Sequence, residues 1–355
     1  MAFEWWHALV LGVVEGITEF LPISSTGHLI LASSLMGLDR EEDLAGAVNA
    51  FNIVIQGGAI LAVLGLYWRR VRQMLLGLIG RDPGGLRLLV CLIVAFLPAA
   101  VLGLKFNEWI EERLFLAEPV LTALAVGGVY MIVLDRLVVR RMRREDAAAQ
   151  MADGRGAEGR AETRSAGGAG GTTGEGWNGP DGFDPHDVTT LRLWQALAIG
   201  LMQCIAMWPG TSRSMMTITG GVLVGLRPKQ AAEFSFLLGL PTLGGACVYK
   251  LYKNTSATGA AAEANIFASL GWTAVLIGTA AAMISAALAV RWLVGFLNRN
   301  GLEAFGWYRL ALAAVLGGLI WGGVVQIGPE RPNPAGEELP GAAAVGAPAE
   351  HARAE

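Results

Sequence analysis

The stretch Gly12-Val13-Val14-Glu15-Gly16-Ile17-Thr18-Glu19-Phe20-Leu21-Pro22-Ile23-Ser24-Ser25-Thr26-Gly27-His28 decides the architecture. An apolar run carrying two glutamates stops at Pro22, and a hydroxyl cluster precedes the next apolar run. The flanking segments, 6–21 and 24–37, are together too short to cross a hydrocarbon core of roughly 30 Å twice. A proline break followed by hydroxyl residues at membrane depth predicts a re-entrant helix hairpin.

The motif returns near the middle of the chain. Gly200-Leu201-Met202-Gln203-Cys204-Ile205-Ala206-Met207-Trp208-Pro209-Gly210-Thr211-Ser212-Arg213-Ser214 aligns its Gly, Glu/Gln, Ile, aromatic, Pro and hydroxyl positions with one gap. Segments 192–208 and 212–226 form the second predicted hairpin. Six further apolar segments, 48–68, 87–105, 118–138, 232–252, 266–297 and 303–326, read as full crossings.

Composition agrees. Hydrophobic residues make up 53% of the 355 and charged residues 16%, with 48 glycines. A soluble domain carries nearer a quarter charged residues. Net charge is −3, so nothing points to nucleic acid. Cys91, Cys204 and Cys247 lie inside apolar segments without metal-ligand spacing and read as small apolar fillers. Glu4, Glu15 and Glu19 argue against a cleavable signal peptide.

Basic residues cluster at Arg69, Arg70, Arg72, Arg81 and Arg87, at Arg140, Arg141, Arg143 and Arg144, at Arg227 and Lys229, and at Arg291 and Arg299. The positive-inside rule makes these loops cytoplasmic. The first hairpin then enters from outside and the second from inside, so the halves have opposite topology. The expected fold is an all-α polytopic membrane protein, an inverted repeat of two five-helix halves, each with one re-entrant hairpin and three transmembrane helices. The halves are 1–144 and 191–327. The Gly-, Ala- and charge-rich stretch 145–190 reads as a disordered cytoplasmic linker, and 328–355 as a disordered tail.

The hairpins point to an anion. Each proline precedes a Ser/Thr-rich turn that opens a helix, whose first N–H groups and dipole attract phosphate. Ser24, Thr26, Thr211, Ser212, Ser214 and Thr217 are the candidate phosphate-binding hydroxyls, some of which must serve as caps. Arg213 offers a planar fork suited to phosphate. Glu15 and Glu19, four apart, share one helix face. Two carboxylates beside a phosphate site imply a divalent cation between them, such as Mg2+ or Ca2+, or a general-base role. His28, one turn from Ser25, reads as base to a serine nucleophile. His7, His186 and His351 read as peripheral. Asn49, Asn52 and Gln56 fit either cavity lining, above all Gln56, or polar contacts between helices. Trp307 and Arg309 read as interfacial anchors.

These motifs resemble the undecaprenyl-diphosphatases associated with bacitracin resistance. Glu15-Gly-Ile-Thr-Glu19 through Ser24-Ser-Thr-Gly-His28 is similar to that family's E-x-x-x-E and SSTGH signature. Pro209-Gly-Thr-Ser-Arg213-Ser-Met-Met-Thr217 is similar to its PGxSRSxxT signature. The stretches 51–64 and 234–242 are also alike. Met215 and Met216, where a small residue often follows, and the long 145–190 stretch depart from the pattern.

The resemblance implies hydrolysis of undecaprenyl diphosphate to the monophosphate lipid carrier of cell-wall synthesis, supported by a divalent cation. It implies a multi-pass protein of the bacterial plasma membrane whose site faces the extracytoplasmic side. Glu15, Glu19, Ser25, His28, Ser212 and Arg213 match the family's catalytic positions; Thr26, Ser214 and Thr217 match supporting ones. Partners would be the lipid substrate and the bilayer, with monomer and homodimer both open. Transport of a prenyl phosphate is the competing reading, because inverted repeats with broken helices also build transporters.

Overall fold

The computed structural model describes residues 3–39, 42–148, 151, 183–256, 270–325 and 327. Regular structure among them is helical throughout, with no strand. The helices are α1 (Trp5–Thr18), α2 (Ser25–Leu35), α3 (Glu42–Leu66), α4 (Trp68–Leu78), α5 (Pro83–Leu114) and α6 (Ala117–Leu134), then α7 (Leu193–Ile205), α8 (Arg213–Leu223), α9 (Pro228–Ser256), α10 (Trp272–Asn300) and α11 (Glu303–Trp321). Six of them, α3, α5, α6, α9, α10 and α11, are long and apolar enough to cross a membrane. The chain is a multi-pass membrane protein.

The outer surface matches a lipid solvent. Leu104, Val126, Leu137, Leu276 and Trp321 are among many large apolar side chains left exposed. A water-soluble monomer rarely shows such area.

The two proline-broken segments fold alike. α1 and α7 each stop four residues before a proline, as expected from the clash of its ring with the preceding turn. α2 and α8, eleven residues each, then start behind a serine N-cap: Ser24 accepts from the Gly27 amide at 3.4 Å, and Ser212 from the Met215 amide at 3.3 Å. Both serines hold φ 75°, and no other described non-glycine residue has positive φ. Such a conformation costs about 1–3 kcal/mol and persists only where its surroundings impose it.

Packing exchanges partners between the first and second parts of the chain. α1 lies on α10 and α7 on α5, while α6 pairs with α11 and α3 with α9. The α1–α10 contact depends on small residues. A side chain at Gly12 would run into the Gly278 carbonyl, and one at Gly16 into Ser285 and Ala282.

Three expectations need correction. Residues 69–78, read as a basic loop, form α4, because Val71, Met74, Leu75 and Leu78 recur at helical spacing and Arg70 pairs with Glu233 at 2.7 Å. The expected linker is ordered at both ends. Residues 145–148 are helical, Val188–Thr190 forms a 3-10 turn with Val188 buried, and Arg227 joins Asp146 at 2.5 Å. Residues 149, 150 and 152–182 of that linker and the tail 328–355 lie outside the described residues. His7, expected at the periphery, is buried against Phe3 and Trp6.

Candidate active site

Glu19 is the hub of the site. It follows α1 in helical conformation, one turn beyond Glu15, and is buried. Its Oε2 accepts a hydrogen bond from Ser25 Oγ at 2.8 Å, and its Oε1 pairs with Arg213 Nη2 at 3.4 Å. One carboxylate therefore joins the first turn to the second.

Arg213, the first residue of α8, is fixed on three sides. Nη1 donates to the Ser235 carbonyl at 3.1 Å, the guanidinium carbon lies 5.9 Å from the Phe20 ring centre, and Gly239 leaves room for the fork. Nε is buried without a partner. Behind it, Thr217 Oγ1 donates to the Arg213 carbonyl at 2.9 Å and meets Ser235 Oγ at 2.5 Å.

Glu15 is wholly buried, and neither carboxyl oxygen makes a well-formed hydrogen bond, although Glu19 and Gln56 lie alongside. Glu19, Arg213 and Gln56 are the charged and polar groups acting on it. A buried carboxylate without a partner is costly, and at this depth is retained for a purpose.

His28 sits differently from expectation. Its Nδ1 lies 2.7 Å from the Ser24 carbonyl, an acceptor only, so Nδ1 carries the hydrogen. Nε2 meets the Tyr308 hydroxyl at 2.7 Å, and in the neutral ring with Nδ1–H it is Nε2 that accepts. The rings of His28 and Tyr308 are parallel within 4°. Ser25 is thus bonded to Glu19, and the expected Ser25–His28 hydrogen bond is absent. The cause is Ser24: its carbonyl and Tyr308 together occupy both imidazole nitrogens.

The remaining hydroxyls divide. Ser214 Oγ donates to the Leu21 carbonyl at 2.8 Å, a bond between the two proline turns, and Ser212 Oγ meets Ser214 Oγ at 3.0 Å. Ser214 and Thr217, expected to bind phosphate, instead spend their protons on backbone carbonyls. Ser24 caps α2, Thr211 is buried, and Thr26 is half-buried one residue past Ser25. Gln56 lies beside Glu15, whereas Asn49 points outward.

Arg309 overturns its reading as an interfacial anchor. It has no exposed surface, and Nη2 donates to the Ala123 carbonyl at 3.0 Å and the Gly210 carbonyl at 2.9 Å. Trp307 is exposed. The signal that could have found Arg309 is depth: it lies six residues into α11, about 9 Å from its start at 1.5 Å per residue.

Among the described residues, no group of three or more His, Cys, Asp or Glu side chains is placed to hold a metal. Glu15 and Glu19 supply two carboxylates, one with both oxygens unpartnered. That set fits a hard cation whose shell is completed by phosphate oxygens and water.

Comparison with known proteins follows the same residues. The profile of the bacitracin resistance protein BacA matches residues 8–315. An undecaprenyl-diphosphatase of Sorangium cellulosum is 42% identical over 312 residues, 88% of this chain and 85% of its own length. That of Deinococcus radiodurans is 37% identical over 329 residues, 92% of this chain and 98% of its own. That of Polaromonas sp. strain JS666 is 36% identical over 318 residues, covering 90% and 96%.

Proposed function

Since the chain belongs to the bacitracin resistance protein BacA family, we propose that it hydrolyses undecaprenyl diphosphate to undecaprenyl phosphate and inorganic phosphate. The observation that carries this is the chain Ser25–Glu19–Arg213, a hydroxyl held by a carboxylate beside a guanidinium. Such a set joins a nucleophile, its base and a phosphate ligand.

Ser25 Oγ attacks the terminal phosphorus while Glu19 takes its proton. The bond to the bridging oxygen breaks, and the prenyl monophosphate departs. Water then attacks the phosphoseryl group and releases phosphate, returning the proton to Ser25. Arg213 and the α2 and α8 N-termini stabilise the charge on the transferring group. His28, with Nδ1 on the Ser24 carbonyl and Nε2 on Tyr308, lies one turn along α2 from Ser25 and acts by holding the first turn of α2 in place. Glu15 and Glu19 would hold a divalent cation, which when bound neutralises diphosphate charge.

The paired helix contacts, the two serines at φ 75° and the Ser214–Leu21 bond support two re-entrant hairpins in an inverted repeat. Both hairpins then lie within the bilayer. The basic loops support a bacterial plasma membrane protein whose site opens to the extracytoplasmic side. A carrier would need no serine held on a buried carboxylate, so transport is not favoured.

Purified protein should release phosphate from undecaprenyl diphosphate with retention of configuration at phosphorus. Ser25→Ala and Arg213→Ala should abolish release without unfolding. Inversion would replace Ser25 attack by direct attack of water, and full activity in both variants would remove the site.

A further inference from the structure

Two adjacent side chains of α11 reach the two proline turns separately. Tyr308 donates to His28 Nε2 at 2.7 Å on the first, and Arg309 donates to the Gly210 carbonyl at 2.9 Å on the second. The Gly210–Thr211 peptide is pinned at both ends, since the Thr211 amide donates to the Trp208 carbonyl at 3.1 Å. Gly210 itself holds φ 93°, so the turn sits in a conformation that only glycine adopts freely.

Arg309 is an expensive choice for a purely structural tie. A fully buried guanidinium loses its hydration, and here two carbonyls are its only hydrogen-bond partners among the described residues. Nε and Nη1 are buried and unpartnered. Gly127 clears the space, since a side-chain carbon there would lie 2.5 Å from Nη2. A neutral donor could hold one carbonyl at lower cost. One terminal nitrogen, Nη2, bridges Ala123 of α6 and Gly210 together, and so fixes the turn against a crossing helix.

We infer that Tyr308 and Arg309 are positioning residues that set the two catalytic turns in register, Tyr308 through the His28 imidazole and Arg309 through the Gly210 carbonyl. The inference rests on the phosphatase reading for its kinetic consequence, and on geometry alone for its structural one. Tyr308 keeps the imidazole plane parallel to its own and holds the Nε2 lone pair. Arg309 keeps the peptide before Ser212 and Arg213 from turning over. Neither needs to touch substrate.

The test uses the full-length protein in detergent, with undecaprenyl diphosphate and Mg2+ or Ca2+. Tyr308→Phe should lower kcat about tenfold, the scale of one hydrogen bond, with KM within about twofold. Arg309→Met, which keeps a long side chain but removes both bonds, should lower kcat by at least about tenfold in protein that still elutes as a folded species. Independently of turnover, 15N spectra of histidine-labelled protein, with the His28 signal assigned by its loss in His28→Asn, should show Nδ1–H with a hydrogen-bonded Nε2. In Tyr308→Phe the Nε2 resonance should move towards that of a free imidazole nitrogen.

Unchanged kcat in Tyr308→Phe, a loss confined to KM, or an unmoved Nε2 resonance would overturn the inference. No phosphate release by wild type would overturn the phosphatase reading instead, and the nitrogen spectra would still decide the clamp.

Discussion

Ser25 Oγ and Glu19 Oε2 lie 2.8 Å apart, and the same carboxylate reaches Arg213 through its other oxygen. Ser25, Glu19 and Arg213, the proposed nucleophile, base and phosphate ligand, thus form one connected unit across two segments nearly two hundred residues apart in sequence.

Glu19→Gln keeps the shape of this unit and removes its base. General-base catalysis contributes about 10²–10⁴-fold, so kcat should fall by that order with KM little changed. Steady-state phosphate release measures it. A variant retaining more than about a tenth of wild-type kcat would pass the role of base to another group.

Chelation tests the two carboxylates. Protein stripped with EDTA should lose phosphate release and regain it with Mg2+ or Ca2+. Glu15→Gln should raise the cation concentration needed for half-activity by about tenfold or more, since one of two anionic ligands is gone. An unaltered requirement in Glu15→Gln would leave its buried, unpartnered oxygens without a cation role.

Ser212 combines a cap with a strained backbone, and substitutions separate the two. Ser212→Ala loses the cap to the Met215 amide and should destabilise by about 1 kcal/mol. Ser212→Gly loses only a few tenths of that kind and relieves about 1–3 kcal/mol of strain at φ 75°. Glycine should therefore raise the thermal midpoint in detergent and alanine lower it. Equal shifts for both would mean that the backbone at 212 stores no strain.

Gly127→Ala tests the space around Arg309. The new methyl would stand 2.5 Å from Nη2, and a guanidinium with no exposed surface has no open side to move into. We expect about 1–3 kcal/mol of destabilisation from overpacking, together with reduced turnover as the Gly210 bond is lost. Thermal unfolding and phosphate release on the same preparation read both effects.

The sequence made the crossings legible because lipid demands long apolar runs, and all six expected segments fall on the six helices long enough to span. The breaks between α1 and α2 and between α7 and α8 showed through Pro22 and Pro209. α4 was hidden because its arginines spoke louder than Val71, Met74, Leu75 and Leu78 at helical spacing. At the site, residue types were readable and partners were not. Spacing alone places His28 next to Ser25. Only the fold shows that Tyr308, 280 positions away, holds the imidazole while Glu19 takes the hydroxyl. Arg309 was masked by its place near a helix end, where an arginine ordinarily reaches for water.

Synthesis runs from the amino terminus, and the clamp is written after the residues it holds. A nascent chain that has delivered Glu19, Ser25, His28 and Arg213 still lacks the hydroxyl for the imidazole and the guanidinium for the Gly210 carbonyl. Those arrive only when α11 leaves the ribosome and docks beside α6. A polypeptide lacking α11 would therefore carry Glu19, Ser25, His28 and Arg213 with their mutual contacts but without the two bonds that tie the turns to α11.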